Sequence, residues 1–152
     1  MEVIFREADI HDLPGIIKLC NECFEENTDL PKAKKIFRKT EFDDNQIYLV
    51  GEKGSKIIAH ARMVIVPTIY DDMGTYAILN HICVKPEYRR EHIGTKLLDE
   101  CFRIAKERGC KTVNLWSKNF RIAAHAMYKK YGFKVVDAKF FTKEIREIYY
   151  ED

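Results

Sequence analysis

The sequence predicts an α/β fold of the α+β kind: one mixed, mostly antiparallel central sheet with helices on both faces. Three observations predict it. Ile47–Glu52 and Ile57–Val66 are apolar and β-branched runs joined by Lys53-Gly54-Ser55, a hairpin signature. Leu97, Leu98, Cys101, Ile104 and Ala105 recur on one face of a helix over Ile93–Arg108. That helix lies between the strands Thr75–Val84 and Thr112–Ser117, and a strand-helix-strand unit makes its two strands parallel.

The other elements follow in chain order. Val3 and Phe5 mark a first strand, Glu2–Glu7. Asp9 or Asp12 can cap a helix beginning near Leu13, with Pro14 in its first turn and Ile16, Ile17, Cys20, Cys23 and Phe24 at helical spacing. Glu25–Pro31 is acidic and turn-like, and a short helix follows over Lys32–Thr40. Pro67–Gly74 is a loop, Pro86 ends the Thr75–Val84 strand, and Gly109 is placed to end the Ile93–Arg108 helix. Arg121–Tyr131 is a helix broken by Gly132, and Phe133–Val136 and Phe140–Tyr149 read as closing strands. The order is β-α-α-β-β-β-α-β-α-β-β.

A chain of 152 residues fits one domain, 1–152, large enough for a core without disulfides. Apolar residues make up 46% and charged residues 33%, which excludes disorder by composition. Lys plus Arg is 26 against 24 Asp plus Glu, a net charge of +2, so bulk charge gives no case for nucleic acid or membrane as partner. No apolar run approaches the ~20 residues of a membrane helix. The N-terminus lacks the basic and apolar stretches of an export signal, so the 5 cysteines are expected as reduced thiols in the cytoplasm.

Two segments carry the chemistry. Ile82-Cys83-Val84-Lys85-Pro86-Glu87-Tyr88-Arg89-Arg90-Glu91-His92-Ile93-Gly94-Thr95 runs strand, tight turn, helix start. Backbone N–H groups at a helix start lack internal partners and point outward with the positive end of the dipole, a natural anion site. Arg89 and Arg90 add charge there, and Gly94 leaves room for a ligand against the backbone. Neither a Walker loop nor a Gly-x-Gly-x-x-Gly is present, and a plain basic connection explains the turn equally well on spacing alone. In the second segment, Tyr128 precedes the end of a helix at Tyr131-Gly132-Phe133; a lone helical tyrosine is most often a packing residue.

Taken together, the two segments resemble the GNAT N-acetyltransferase superfamily. Arg89-Arg90-Glu91-His92-Ile93-Gly94 is similar to its Arg/Gln-x-x-Gly-x-Gly/Ala hallmark, and Tyr128-Lys129-Lys130-Tyr131-Gly132-Phe133 to its Tyr-x-x-x-Gly-Phe. The two lie in the family's order, about 40 residues apart.

The resemblance implies two parallel strands, Thr75–Val84 and Thr112–Ser117, that splay apart around acetyl-CoA as co-substrate. It implies cofactor contacts from the backbone of Ile82, Cys83 and Val84 and from the turn Arg89, Arg90, Glu91, His92, Ile93, Gly94 and Thr95. Asn119 is a further cofactor candidate, with helix capping as its equal alternative. A β-bulge can free strand N–H groups for the pantetheine amides and for the thioester carbonyl. Tyr128 matches the family's general acid, and an ordinary tyrosine pKa near ~10 suits a thiolate leaving group. The implied reaction is direct acetyl transfer to a primary amine of a small molecule or peptide, with no metal.

Two departures stand out. His92 occupies the position of the first motif glycine, although histidine is among the residues that tolerate positive φ. Asn80 stands where many members carry a glutamate base. His81, its neighbour, should point to the opposite sheet face unless a bulge re-aims it to act as base or water-holder; the preferred expectation is a base acting through water, or none for an already neutral amine. Other signals read as structural. Cys20-Asn21-Glu22-Cys23 lacks a second ligand pair and lies on an apolar stripe, so its thiols are expected in the core. Trp116 is expected in the core or a cleft wall. Lys129, Lys130 and Lys134 form either a solvated face or a ribose-phosphate contact. Glu25, Glu26 and Asp29, with Tyr70, Asp71 and Asp72, hint at a cationic acceptor. Phe140–Tyr149 is a candidate edge for pairing across a homodimer, and its charges protect it equally well as a free edge. Two other function classes fit in principle: an acyl-CoA-binding regulator on the same fold, and a nucleic-acid module using the basic turn.

Overall fold

The structure is a computed structural model that describes residues 2–145. It forms two compact units, divided after Asn119. The first holds strands β1 (Ile4–Glu7), β2 (Gln46–Lys53), β3 (Lys56–Val66), β4 (Tyr76–Val84) and β5 (Thr112–Asn114), with helices α1 (Leu13–Phe24), α2 (Leu30–Thr40) and α3 (Ile93–Glu107). The sheet order is β1-β2-β3-β4-β5. The first three pairings are antiparallel and β4–β5 is parallel, so the mixed, mostly antiparallel sheet is as expected.

Local chemistry sets these elements. Gly54, at φ 63°, lets the β2–β3 hairpin close between the paired Lys53 and Lys56. Asp9 does not cap α1 itself. It caps a 3-10 turn, Ile10–Asp12, through a reciprocal box with Asp12: His11 N donates to Asp9 Oδ1 and Asp9 N to Asp12 Oδ2, each at 2.8 Å. Arg6 then donates both Nη groups to the Asp12 carboxylate, at 2.7 and 2.8 Å, and Nε to Glu52 at 2.9 Å. This fork joins β1 and β2 to the start of α1, and the Arg6 bonds hold the Asp12 carboxyl below its ordinary range. α2 begins two residues before its expected start, because Asp29 caps it (Lys32 N donates to Asp29 Oδ2, 3.0 Å) and Pro31 fits its first turn. α3 ends at Glu107, one residue before its expected end; Arg108 is the capping residue and Gly109 follows in the left-handed conformation, φ 72°.

Ile16, Leu19 and Cys20 of α1 pack with Val50 and Cys83 on one face of the sheet. Four consecutive β3 residues, Ile58 to Ala61, are buried, which requires cover on both faces. α3 also packs on β3 and β4, burying Leu97, Leu98 and Cys101.

His60 is the one buried polar residue among those described, and its Nδ1 lies 2.8 Å from the Leu49 carbonyl. Burial, with smaller contributions from the charges of His81 and Arg62, pushes its imidazole down from 6.5 to about 4. The unfolded chain therefore binds a proton that the folded chain refuses between these values. Stability is full above pH 6.5 and falls as pH drops toward about 4, by about 3 kcal/mol. Denaturant unfolding at a series of pH values should show this slope, and His60→Gln should flatten it. An unchanged slope in the variant contradicts the assignment.

The second unit contains α4 (Ile122–Tyr131), closed by Gly132 at φ 117°. Phe133 N donates to the Tyr128 carbonyl at 2.9 Å, and the Phe133 and Tyr128 rings meet edge-on at 5.8 Å. Two expectations fail here. No strand forms over Phe133–Val136 or over residues 140–145; the rest of the expected Phe140–Tyr149 strand lies outside the described residues. The segment's apolar residues favour a strand locally, but strand formation is decided by tertiary context as much as by local propensity. Ala138 N bonds instead to the Val136 carbonyl two residues back, at 3.0 Å.

Candidate functional site

β4 and β5 pair only at Tyr76–Thr112, Ala77–Val113 and Ile78–Asn114. Beyond Ile78, β4 runs on to Val84 with no β5 partner, and β5 ends three residues short of its expected Ser117. The two parallel strands therefore separate, and the β5-facing edge of residues 79–84 is unpaired among the described residues. Ile82, Cys83 and Val84 lie on that edge segment.

On its other side, β4 is interrupted. His60 pairs with Cys83 and Arg62 with Asn80, so His81 and Ile82 together face the single residue Ala61. This is a β-bulge. His81 sits within it at φ 51°, a left-handed conformation uncommon for residues with a side chain. Its ring is exposed, stands edge-on to Phe24 at 5.1 Å, and hydrogen-bonds through Nε2 to Glu26 Oε1 at 2.9 Å. Strand alternation does not foresee this direction, because the bulge breaks it. Asn80, by contrast, keeps its ladder position. Its Oδ1 is buried without a hydrogen-bond partner among the described residues, an acceptor still to be satisfied.

After Val84 the chain makes a 3-10 turn, Pro86–Tyr88, and reaches α3 through Arg89 to His92. Arg89 Nε donates to the Val84 carbonyl at 3.3 Å, which ties the turn to the end of β4. Arg90 (φ 69°) and His92 (φ 59°) both adopt the left-handed conformation. His92 is the residue before the helix and offers no side-chain cap. The first intrahelical bond is Lys96 N to the His92 carbonyl, at 3.1 Å. The N–H groups of Ile93, Gly94 and Thr95 are thus the helix's unpaired first-turn donors. Alternating left-handed residues before such a turn form a concave array of N–H groups suited to an anion. Arg89, Arg90, Glu91, His92 and Thr95 are exposed, Gly94 is half-buried and Ile93 is buried.

The remaining sequence candidates fall elsewhere. Asn119 is exposed just past β5; it does not cap α4, whose capping position is Arg121. Tyr128 is half-buried on α4, in the second unit. Trp116 is 63% exposed, so it is not in the core, because β5 ends before it. Asp29 is used as a helix cap, and the Asp71 and Asp72 carbonyls accept from Lys111 Nζ. Sequence reasoning missed the Glu26–His81 pair, whose members are 55 positions apart. Among the described residues no group of side chains is arranged to hold a metal ion, and no helix is long and apolar enough to cross a membrane.

Comparisons with known proteins bear on the family and the fold. The profile described as the Acetyltransferase (GNAT) family matches residues 13–133. A probable N-acetyltransferase camello from Xenopus tropicalis is 31% identical over 67% of this chain, which spans only 48% of that protein. A thialysine N-epsilon-acetyltransferase from Sus scrofa is 27% identical over 86% of this chain and 83% of its own length. The same fold occurs in a predicted acetyltransferase with acetyl-CoA from Clostridium acetobutylicum, at TM-score 0.77 and 22% identity, covering 93% of this chain and 96% of that one.

Proposed function

Since the chain belongs to the GNAT family of acetyltransferases, we propose that it transfers acetyl from acetyl-CoA directly to a primary amine carried on a small molecule or peptide. The observation that carries this reading is the parting of β4 and β5 beyond Ile78 and Asn114, in the same unit as an uncapped α3 start. The family profile runs across the division at Asn119, which supports a single functional domain over both units.

The residues fit such a co-substrate. The unpaired edge of β4 at Ile82, Cys83 and Val84 offers backbone groups to the pantetheine amides as an added strand does. The N–H groups of Ile93, Gly94 and Thr95, with the charges of Arg89 and Arg90, suit a diphosphate. Glu91 and His92 complete that turn, and Asn119 is an outlying candidate for the carrier. Acetyl-CoA supplies, when bound, an acyl group activated as a thioester. Strand N–H groups freed by the bulge polarise the acyl carbonyl. Holding amine and acyl group in register supplies much of the remaining rate.

For proton transfer we assign Tyr128 as the acid that protonates the departing thiolate. We assign His81 as the base that takes the amine proton, with Glu26 orienting the ring through the hydrogen bond at Nε2. Asn80 carries no proton-accepting group, and the bulge at His81 supports the adjacent residue in that role. Glu26 beside His81, with Glu25 next to it in the chain, favours a cationic acceptor. The thialysine relative supports a primary amine at the end of an aliphatic chain. Five free cysteines suit a reducing compartment such as the cytoplasm.

The test is an acceptor panel read by released CoA. Primary amines should turn over, and His81→Ala should lower the rate at neutral pH by about 100-fold, with partial recovery at higher pH where more amine is already neutral. Binding of acetyl-CoA without turnover of any amine would instead mark an acyl-CoA-binding regulator. A separate expectation concerns His92. Glycine relieves the left-handed strain at φ 59°, so His92→Gly should leave acetyl-CoA affinity within about threefold and hold or raise stability by about 1 kcal/mol. Titration and thermal unfolding of the same variant check both; a large gain in affinity would mean that the histidine obstructs the site.

A further inference from the structure

Three thiols meet where α1 passes the end of β4. Cys20 and Cys83 are buried in the cluster formed with Ile16, Leu19 and Val50, and the half-buried Cys23 packs against it. Cys83 interacts with both helix thiols. Cys23 Sγ donates to the Val84 carbonyl at 3.6 Å, and Arg89 Nη2 stands 3.9 Å from the same sulfur. Arg89 Nε bonds to that same carbonyl, so Cys23, the end of β4 and the α3 turn share one small network.

The thiols are not equivalent. The Cys83 thiol and then the Arg89 charge favour ionised Cys23 against the opposing effect of burial, and bring it down to about 7. Its neighbours Cys20 and Cys23, followed by burial, push Cys83 strongly upward. Burial pushes Cys101 up to about 12, and also raises Cys110. Only Cys23 combines partial exposure, a guanidinium at the sulfur and a second thiol within reach.

We propose that Cys23 is an oxidisable thiol site, with Cys83 as the partner that converts its oxidised form to a disulfide. The oxidant is a hydroperoxide. The Cys23 thiolate attacks a peroxide oxygen; the S–O bond forms, the O–O bond breaks, and the departing hydroxide or alkoxide takes up a proton. Cys23 is then a sulfenic acid. The Cys83 sulfur attacks the Cys23 sulfur, the S–S bond forms, the S–O bond breaks, and water leaves with the Cys83 proton. Two electrons pass from the thiol pair to the peroxide. The disulfide takes the Cys23 sulfur from the Val84 carbonyl and removes the thiolate beside Arg89, at the start of the turn assigned to the diphosphate. That last consequence rests on the acetyltransferase reading; the thiol chemistry does not.

The test is mass spectrometry of the reduced full chain at pH 7. Cys23 should be alkylated at least about tenfold faster than Cys110, which serves as the internal control. Hydrogen peroxide should link Cys23 to Cys83, and in Cys83→Ser the sulfenic acid should be trapped by dimedone on Cys23. Arg89→Ala should slow Cys23 alkylation severalfold. Alkylation of Cys110 ahead of Cys23, a Cys20–Cys23 link, or no dimedone adduct in Cys83→Ser would each overturn the proposal. Titration with acetyl-CoA before and after peroxide reads the functional consequence separately: failure of the reduced protein to bind acetyl-CoA would count against the acetyltransferase reading and leave the thiol result standing.

Discussion

Tyr128→Phe will lower turnover by about 100-fold or more while acetyl-CoA affinity stays within about twofold. The substitution keeps the ring, and so keeps the edge-on contact with Phe133 and the end of α4 at Gly132. What it removes is the hydroxyl, the only part of the side chain able to give a proton. A proton donor matters most when the leaving thiolate is basic. The deficit should therefore shrink when the acyl donor is a thioester of a more acidic thiol. Steady-state kinetics with acetyl-CoA and with such a donor separate this role from packing, since a packing defect penalises both donors equally. Equal turnover of variant and parent with acetyl-CoA removes Tyr128 from the chemistry.

Gly94→Asp will weaken acetyl-CoA binding by about 100-fold, about 2.7 kcal/mol, without weakening the fold. Gly94 is the second residue of α3, among the unpaired first-turn donors. A carboxylate there is favourable for the helix itself, because it meets the positive end of the dipole, and any residue other than proline or glycine is a better helix former at this position. For a diphosphate the same carboxylate is a like charge in the place the anion needs, and its Cβ occupies the space the glycine leaves open. Stability and affinity should thus move in opposite directions. Thermal unfolding and equilibrium titration on one preparation measure both. A variant that binds acetyl-CoA as well as the parent would locate the anion elsewhere.

Much of this arrangement is legible in the sequence, and the parts that are not have physical reasons. The β2–β3 hairpin, α3 and the ends of α3 and α4 are written in local chemistry: Gly54, the Leu97–Ala105 stripe, Gly109 and Gly132 each act within a few residues. The parallel β4–β5 pair follows from the helix between them. The bulge at His81 is different. Asn80-His81-Ile82 contains no glycine or proline to announce it, and it exists because β3 and β4 keep register on either side of one extra residue. A reading by alternation therefore sends His81 to the wrong face and cannot bring it to Glu26. The thiol network has the same origin. Cys20 and Cys23 read correctly as residues of an apolar stripe, but their meeting with Cys83 and Arg89 joins segments 60 or more positions apart. The strand expected over Phe133–Val136 failed for the converse reason: β propensity is local, and a ladder partner is not.

The claim on which the functional reading stands is that an opened strand pair and the amides at the start of α3 grip one long thioester carrier by its diphosphate. Equilibrium titration of the full chain with acetyl-CoA and with S-acetylpantetheine, which has the thioester arm and no diphosphate, tests it most directly. Saturable acetyl-CoA binding is expected, with S-acetylpantetheine weaker by about 100-fold or more. Equal affinity for the two, or no binding of acetyl-CoA at millimolar concentration, would contradict it.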